Sequence, residues 1–354
     1  LRCVHCYSKS ANQCYEGEMT TDQGYALLED LAQFGAPVVL FSGGEPMMRP
    51  DLFELALRAT SLGLRAVIST NGTLIDEKAA ERLQQIGLSY VGVSLDGMQP
   101  INDKFRGVKG AFDMALKGIR NCQRLGLKVG LRFTINKRNA SDIPEIFSLI
   151  RDEGIPRICF YHLVYAGRGA ALMKEDLDHD ATRRTVDLII DRTAQLHAEG
   201  LATEVLTVDN HVDGPYLYLR MLREGNPRAA EVLKLLRMNG GNSTGVGIGC
   251  VSWDGSVHPD QFWRHVSLGN VTERKFSEIW TDPDIVLLHK LKDKKRYVGG
   301  RCATCRYLNI CAGNFRARAE AYYGDIWAED PACYLSDEEI RPPDQAQPPA
   351  GPRP

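Results

Sequence analysis

Residues 38–46 read Val-Val-Leu-Phe-Ser-Gly-Gly-Glu-Pro, a short apolar run that ends in two glycines, an acid and a proline. Such a run is typical of a strand that is covered on both faces. An amphipathic stretch over 21–33, with Thr20 as its N-cap, precedes the run, and another over 52–61 follows it. This part of the chain therefore predicts one strand between two helices.

The same alternation continues to about residue 163. Because each predicted strand is followed by a predicted helix, we expect an α/β fold with a parallel sheet or barrel. An additional first strand is expected before Cys3, upstream of the present sequence. The further predicted strands cover 66–69, 91–94, 129–134 and 158–163, and the further predicted helices cover 77–85, 112–124 and 142–152.

The α/β part is assigned to residues 1–177, and the pattern of apolar residues changes after it. Residues 178–238 are predicted to form a helical bridge. Residues 239–340 are predicted to form a smaller second domain, with strand-like pieces around a turn at Asp254-Gly255. The Pro-rich segment 341–354 has almost no apolar side chains and is predicted to be a disordered tail.

Composition narrows the possible partners. The 354 residues include 43 Lys+Arg and 45 Asp+Glu, which gives a formal net charge of -2. Without long runs of like charge, the chain lacks the basic patch that nucleic acids or membrane surfaces attract. No apolar stretch reaches the roughly 18 residues that a membrane span requires. We therefore expect a cytoplasmic protein that binds neither nucleic acid nor membrane.

The ten cysteines are unevenly distributed. Cys3 and Cys6 lie at the start of the chain, and Cys14 fits no ligand spacing with them. Four more lie near the end, spaced Cys302-x2-Cys305-x5-Cys311-x21-Cys333. Such grouping indicates metal ligands more than disulfides. From spacing alone, the rear four suit either an iron–sulfur cluster or a tetrahedral zinc ion.

The segment Cys3-Val-His-Cys6-Tyr7, followed one strand later by Ser42-Gly43-Gly44-Glu45-Pro46, resembles the radical S-adenosylmethionine (SAM) superfamily. The resemblance implies a partial (β/α)6 radical SAM barrel. It also implies a four-iron four-sulfur (4Fe-4S) cluster on three thiolates spaced Cys-x3-Cys-x2-Cys, with one open iron that binds SAM. Cys3 and Cys6 match the last two thiolates, and the first is expected two residues before Leu1.

The rear cysteines resemble the SPASM extension of that superfamily, which implies a small C-terminal iron–sulfur domain. The implied ligands of one auxiliary 4Fe-4S cluster are Cys302, Cys305, Cys311 and Cys333. The full SPASM pattern has a further cysteine where this chain has Phe315. Cys250 is the other candidate nearby, and we expect it to be a small buried residue.

By the same resemblance, the residues at the strand ends bind SAM. Two glycines let backbone carbonyls approach the methionyl ammonium, and the carboxylate of Glu45 supplies a counter-charge. Asn71-Gly72 and Asp96-Gly97 also suit plain turns, and Arg106 also suits a solvated surface. The implied SAM-binding residues are His5, Tyr7, Gly43, Gly44, Glu45, Pro46, Asn71, Ser94, Asp96 and Arg106.

Nearly the whole chain resembles the tetrapyrrole-modifying members of the superfamily, notably over 160–169, 207–216, 239–242, 257–263 and 328–335, and 249–255 most resembles the acetate-removing members. The best resemblance is to enzymes of siroheme-dependent heme biosynthesis. It implies removal of two acetate side chains from 12,18-didecarboxysiroheme to give Fe-coproporphyrin III through a 5'-deoxyadenosyl radical. It also implies an iron tetrapyrrole substrate and an electron donor such as flavodoxin or ferredoxin. The alternative within this group is removal of propionates in the synthesis of a d-type heme.

An iron substrate with many carboxylates also calls for basic clamps, aromatic walls and an axial ligand or proton donor. Arg168, which follows the last predicted strand, is placed at the active edge on this ground. Three histidines are catalytic candidates: His162 at the same edge, and His258 and His265 in the second domain. The alternative for His258 and His265 is a structural histidine that is hydrogen-bonded within the second domain. Outside the tetrapyrrole group, the chain also suits a peptide-modifying SPASM maturase, an iron–sulfur electron carrier or a zinc-stabilised binding module.

Overall fold

The computed structural model describes residues 1–11, 13 and 15–342. Its main feature is an open sheet of six parallel strands that are hydrogen-bonded in chain order. Helical crossovers join the strands, so the carboxyl ends of all six lie at one edge of the sheet. The strands are β1 (Val38–Phe41), β2 (Arg65–Thr70), β3 (Tyr90–Ser94), β4 (Val129–Thr134), β5 (Arg157–Tyr161) and β6 (Glu204–Val208).

The α/β class is confirmed, and every helix predicted between the early strands is present. Thr20 caps the first helix as predicted, because its side chain accepts a hydrogen bond from the Gln23 backbone. None of the described helices is long and apolar enough to cross a membrane. The helices are α1 (Thr21–Phe34), α2 (Leu52–Ser61), α3 (Glu77–Gln85), α4 (Gln99–Arg106), α5 (Ala111–Arg124), α6 (Ile143–Asp152), α7 (His179–Ala198), α8 (Asp213–Arg223), α9 (Ala229–Asn239), α10 (Phe276–Thr281), α11 (Val286–Lys292), α12 (Gly300–Ala303), α13 (Leu308–Cys311), α14 (Arg316–Tyr323) and α15 (Asp337–Ile340), with 3-10 turns at Pro46–Met48, Ala140–Asp142, Gly167–Glu175 and Lys294–Arg296.

The sheet has two different faces. On β4, Leu131 and Phe133 are fully buried against the helices. Side chains alternate along a strand, so Arg132 and Thr134 lie on the opposite face, which we call the inner face. The sequence predicts strands that are covered on both faces. This is wrong for β1, where Leu40 on the inner face is 47% exposed because β1 is an edge strand.

The segment 178–238 is not purely helical, which corrects the predicted helical bridge. Its residues Glu204–Val208 form β6, which pairs in parallel with β5 over Arg157–Tyr161. The strand has only five residues, Glu-Val-Leu-Thr-Val, and lies between two long helical patterns, which is why the sequence predicts it as part of the helical segment. The six observed strands thus include one that sequence analysis missed, and the strand expected upstream of Cys3 lies outside the present sequence.

The smaller domain contains a three-stranded antiparallel sheet, formed by β7 (Cys250–Val251), β8 (Ser256–His258) and β9 (Gly269–Asn270). The first two strands flank the turn predicted at Asp254-Gly255. The third was not predicted, because two residues are too few to show a period. Cys14 and residues 343–354, most of the predicted tail, lie outside the described residues.

A buried guanidinium joins this domain to the large sheet. Arg318, on α14, is fully buried and pairs with Asp330 at 3.0 Å. It also donates hydrogen bonds to the backbone carbonyls of Leu163 and Asp209, which follow β5 and β6. Because an unpaired buried charge is costly, these contacts hold the smaller domain against the carboxyl ends of the strands.

A second buried network runs beside the first. The His162 imidazole lies 2.8 Å from one oxygen of Asp213, at the start of α8, and the Tyr334 hydroxyl donates to the other oxygen at 2.6 Å. Burial lowers the pKa of His162, but the charge of Asp213 and its hydrogen bond outweigh burial and raise that pKa above its ordinary value. Despite its burial, the pKa of Asp213 is lowered by His162. The network therefore favours an ion pair.

The raised pKa of His162 makes stability depend on pH. The imidazolium contributes stability that is fully present below its unfolded pKa of 6.5 and is lost as pH rises through the higher folded value. The wild type should therefore exceed His162→Asn in unfolding free energy by more at about pH 6 than at about pH 9. Urea unfolding at the two pH values measures the difference.

The matched control is His289→Asn, at an exposed position on α11, which should change the unfolding free energy little at either pH. A His162→Asn effect that is independent of pH, or that grows as pH rises, would contradict the ion pair.

Candidate active site

The two front cysteines lie on residues 3–10, which we call the front loop. Two backbone hydrogen bonds hold its start against the end of α4, from Arg2 to the Arg106 carbonyl and from Val4 to the Phe105 carbonyl, each 3.1 Å. The residue after α4 is glycine in the left-handed region, so the helix stops where the loop passes. The front loop is thereby fixed at the carboxyl-end edge of the sheet.

Gly167 and Arg168, which follow β5, cradle the front loop from the other side. The Arg168 guanidinium donates 2.8 Å hydrogen bonds to the carbonyls of Cys3 and Ser10, and its backbone N–H donates to the Cys6 carbonyl at 2.9 Å. Gly167 has a φ of +60°, and a Cβ there would lie 2.5 Å from the Cys6 carbonyl oxygen. Only glycine allows this approach. Arg168 was predicted as a clamp for the substrate, but its contacts are with the loop.

The environment of the Cys6 thiol favours the thiolate, the form that binds iron. The Cys6 sulfur lies 3.2 Å from the Ser8 hydroxyl and 3.3 Å from the Ser10 hydroxyl. Burial raises the pKa of Cys6, but these hydrogen bonds and the charge of Arg168 outweigh it and lower the pKa overall. The Cys3 sulfur accepts a 3.5 Å hydrogen bond from Arg106.

Asp96 is the charged centre beneath the front loop. It is fully buried and accepts a 2.7 Å hydrogen bond from the Thr134 backbone. The guanidinium of Arg106 pairs with its other oxygen, and the His5 imidazole lies 3.4 Å from that same oxygen. Asp96 and Arg106 were both predicted to contact SAM directly. Here they pair with each other, so their observed contacts position His5 and Cys3.

His5 is held as a neutral aromatic ring. It stacks on Phe105, with ring centroids 4.5 Å apart. Burial, together with nearby arginines, lowers the pKa of His5 to about 4, against the opposing pull of Asp96. The sequence predicts that His5 lies next to the adenine of SAM. A neutral, flat ring beside the cysteines suits that role.

Glu45 ties the end of β1 to the end of β2. Its carboxylate accepts hydrogen bonds from the Thr70 hydroxyl at 2.6 Å, the Asn71 backbone at 2.7 Å and the Met47 backbone at 3.2 Å. Burial raises the pKa of Glu45, although the three hydrogen bonds oppose it. A carboxylate has about four lone-pair positions, so one remains for a cationic ligand. The side chain is only half-buried, so such a ligand can reach it.

The glycines before Glu45 leave space for the front loop. A Cβ on Gly44 would lie 2.9 Å from the Ser10 Cβ, and Gly43 has a φ of +124°, which L side chains rarely adopt. Pro46 then begins the 3-10 turn over Pro46–Met48, where its missing N–H is not needed. The Gly-Gly-Glu-Pro segment thus brings a carboxylate close to the cysteines.

Asn71 and Ser94 end the next two strands. The Asn71 side-chain oxygen accepts hydrogen bonds from the backbone and hydroxyl of Thr73, so a plain turn describes its present contacts. Ser94 is half-buried on the inner face and pairs in register with Arg132. Both residues are therefore at the edge where their predicted roles require them to be.

Aromatic side chains connect the front loop to the smaller domain. The Tyr7 hydroxyl lies 2.9 Å from the Ser42 hydroxyl, which fixes the ring above the end of β1. The Tyr7 ring meets Phe262 edge-on at 5.5 Å, and Phe262 meets Phe315 in the same way at 5.6 Å. Phe315 is the position where the SPASM pattern has a cysteine, and here it extends this aromatic wall.

The four rear cysteines line a single cavity in the smaller domain. Its lining is otherwise mostly apolar, and it lies beside α8 and α13. Burial raises the pKa values of Cys311 and Cys333, each to about 12, with the neighbouring thiols adding to the effect. Buried cysteines with mutually raised pKa values require a cation to be stable as thiolates. Cys250 is not among the residues that line this cavity.

Within the described residues, no three His, Cys, Asp or Glu side chains form a group that could hold a single metal ion. Tetrahedral zinc takes four ligands, with Zn–S distances of about 2.3 Å, and a 4Fe-4S cluster also takes four thiolates. Four cysteines around one cavity therefore suit either group, as their spacing in the sequence does.

The second-domain histidines already have partners. His258 is buried, with one ring nitrogen 2.8 Å from the Ser252 hydroxyl and the other 2.6 Å from the Val266 carbonyl. His265 is exposed and lies 3.1 Å from Glu320. These contacts match a structural role for both residues. His162, His258 and His265 contact different partners and do not form one site. Their catalytic roles stay predictions.

Two family descriptions match the chain. The radical SAM superfamily matches residues 1–150, and the SPASM iron-sulfur cluster-binding domain matches residues 248–306. A solved structure described as "Native anSMEcpe with bound AdoMet" has a TM-score of 0.71 at 18% identity, covering 96% of this chain and 92% of that one. At that identity, the likeness supports the fold alone.

Two curated relatives are similar over most of their length. Fe-coproporphyrin III synthase of Methanosarcina barkeri is 62% identical over 343 residues, which is 96% of this chain and 86% of the relative. Pre-heme d1 synthase of Dinoroseobacter shibae is 45% identical over 339 residues, with 95% and 83% covered. The chain therefore belongs to the radical SAM superfamily, and it carries a SPASM iron–sulfur cluster-binding domain.

Proposed function

We propose that this protein is an enzyme of heme biosynthesis that removes two acetate side chains from 12,18-didecarboxysiroheme to give Fe-coproporphyrin III. The observation that carries the proposal is the 62% identity to Fe-coproporphyrin III synthase over 96% of the chain. The geometry supports it, because the front loop and the rear-cysteine domain both pack at the carboxyl-end edge of the sheet.

The residues at this edge fit the cofactors of the family. When bound, the cluster supplies an electron and SAM supplies the organic radical that starts the reaction. The front loop holds Cys3 and Cys6 as thiolate ligands. Glu45 accepts a hydrogen bond from the ammonium of SAM, and neutral His5 offers a flat contact for its adenine. Asp96 keeps His5 and Arg106 in place.

We further propose one auxiliary 4Fe-4S cluster on the four rear cysteines. Their shared cavity supports this assignment, and the position of Cys250 outside the cavity supports a single auxiliary cluster. The match to the SPASM domain ends at residue 306 and so includes Cys302 and Cys305. The cluster would relay an electron that the departing side chain leaves behind, or contact the substrate.

A flat macrocycle requires apolar walls, and the aromatic wall of Tyr7, Phe262 and Phe315 lies between the two groups of cysteines. Tyr7 and Phe262 are half-buried, so their rings are accessible. Ring-to-ring contact is a strong source of binding energy for such a ligand. As electron donor we propose a small carrier such as flavodoxin or ferredoxin.

The second candidate is removal of propionates in the synthesis of a d-type heme. The 45% identity to pre-heme d1 synthase favours it over peptide modification, for which the identity to PqqA peptide cyclase of Gluconobacter oxydans is 28%. Acetate removal is favoured over both, because the relative with that function has the higher identity, 62%. The three matches can be compared directly, since each covers almost the same share of this chain.

Anaerobic turnover tests the proposal directly. The protein from its full reading frame, with clusters reconstituted, is incubated with SAM, dithionite and 12,18-didecarboxysiroheme. We expect mass spectrometry to show loss of two acetate groups together with 5'-deoxyadenosine. Loss of propionate groups would select the second candidate. Formation of 5'-deoxyadenosine without any change in the tetrapyrrole would contradict both.

Removal of the Glu45 charge should weaken SAM binding. A hydrogen bond between charged groups contributes about 1.5–3 kcal/mol, so Glu45→Gln should raise the dissociation constant for SAM roughly 10- to 100-fold. Equilibrium dialysis of the reconstituted protein measures this. Glu54→Gln, at an exposed position on α2, is the matched control and should leave the constant unchanged. Equal affinity in both variants would contradict the assigned role.

The cluster assignment predicts different iron contents for two cysteine variants. Cys305→Ala removes one ligand of the auxiliary site and should lower iron by roughly four atoms per chain after reconstitution. Cys250→Ala should leave iron and acid-labile sulfide unchanged, because Cys250 lies outside the four-cysteine cavity. Stoichiometric zinc in wild type, lost in Cys305→Ala, would instead support the zinc site. Iron loss in Cys250→Ala would contradict the single auxiliary cluster.

A further inference from the structure

Arg132 projects from the middle of the sheet onto its inner face. It lies on β4 between Leu131 and Phe133, whose side chains are fully buried against the helices on the other face. In register, it is opposite Ser94 of β3 and Cys159 of β5. An arginine at this position is unusual, because a central strand of a parallel sheet normally carries apolar side chains.

The neighbouring residues make space for the guanidinium and orient it. A Cβ on Gly92 would lie 2.9 Å from the Arg132 Cδ, so the absence of a side chain at Gly92 leaves room for Arg132 in its present position. The guanidinium carbon lies 4.4 Å from the centre of the Tyr161 ring. Stacking on an aromatic ring fixes the plane of a guanidinium and leaves its N–H edge for a planar, bidentate acceptor.

No acceptor in the described part of the chain takes that edge. Among the described residues, Arg132 has neither a carboxylate within 4.0 Å nor a side-chain hydrogen bond. The titratable groups that act on it are Tyr7, Tyr90, Cys159 and Tyr161, none of which is ordinarily anionic, and the carboxyl of Asp209. Burial raises the pKa of Asp209 to about 7, and Arg318 and Arg132 oppose this only in part. The charge of Arg132 is thus poorly compensated.

Arg106 is different in this respect. It is paired with Asp96 and donates to the Cys3 sulfur, so its charge is used within the front-loop assembly. Arg132 instead stacks on β5, away from the Glu45 carboxylate at the β1 and β2 ends. The two arginines therefore serve different parts of the site, and the part next to Tyr161 lacks an anion.

We propose that Arg132 binds a side-chain carboxylate of the tetrapyrrole substrate on the inner face of the sheet; this inference rests on the proposed function. A planar carboxylate fits the free guanidinium edge, and the substrate carries several such groups on its rim. Arg132 is then a substrate-binding residue that sets the orientation of the macrocycle. The carboxylate of SAM has the same chemistry, and the test separates the two sources.

The test measures two affinities in Arg132→Gln. Loss of a charged hydrogen bond should weaken binding of Fe-coproporphyrin III, followed by its Soret band, about 10- to 100-fold. The affinity for SAM, measured by equilibrium dialysis, should not change. Arg132→Lys should recover part of the tetrapyrrole affinity, because lysine keeps the charge and loses the planar fork. Arg138→Gln, an exposed arginine paired with Glu175, should bind both ligands as wild type does.

Esterified ligand shows whether the carboxylate is what Arg132 recognises. Wild type should bind the tetramethyl ester of Fe-coproporphyrin III more weakly than the free acid, and Arg132→Gln should lose most of that discrimination. Circular dichroism identifies a variant that fails to fold, in which case Arg132→Lys is compared. Unchanged tetrapyrrole affinity in Arg132→Gln, or a loss of SAM affinity instead, would overturn the proposal. Failure of wild type to bind any tetrapyrrole would overturn the proposed function with it.

Discussion

The buried guanidinium of Arg318 is the contact on which the relation between the two domains depends. One side chain pairs with Asp330 beside the rear cysteines and also holds the carbonyls that follow β5 and β6. Since a buried charge must keep all of its partners, the smaller domain cannot move off the strand ends without a large cost. The rear-cysteine cavity is thereby fixed relative to the front loop, which Arg168 holds at the same edge. Both groups of cysteines are thereby tied to the carboxyl-end edge of one sheet.

The two carboxylates at that edge differ in burial. Asp96 is fully buried and fixes Arg106 and His5 beneath the front loop. Glu45 is only half-buried, so a cationic ligand can reach it. The residues that the sequence predicts as equivalent SAM contacts therefore differ in their surroundings: Asp96 and Arg106 pair with each other, and Glu45 keeps a free lone-pair position for a ligand. Arg132, on the inner face, belongs to neither group, and its free charge suits a different ligand.

Local patterns predicted most of the fold. The strands over 38–41 and 129–134 were predictable because short apolar runs end in turn residues, whereas the role of the cysteines as cluster ligands stays a prediction. β6 was missed because its five residues lie between two long helical patterns, so the sequence predicts the short strand as part of the helical segment. Glycine is needed at position 167 because the front loop, which is distant in sequence, passes close to it. The neighbours of Arg132 on the inner face are set by strand register. Both properties arise from tertiary contacts, so they could not be predicted from local sequence.

We propose that SAM and an iron tetrapyrrole bind side by side at the strand ends, between the two groups of cysteines. The most direct measurement is an anaerobic crystal structure of the reconstituted protein with both SAM and Fe-coproporphyrin III. We predict the ammonium of SAM within hydrogen-bond distance of Glu45 and the macrocycle against Tyr7 and Phe262, with one carboxylate on Arg132. A macrocycle bound elsewhere, or SAM bound away from Glu45, would contradict this claim.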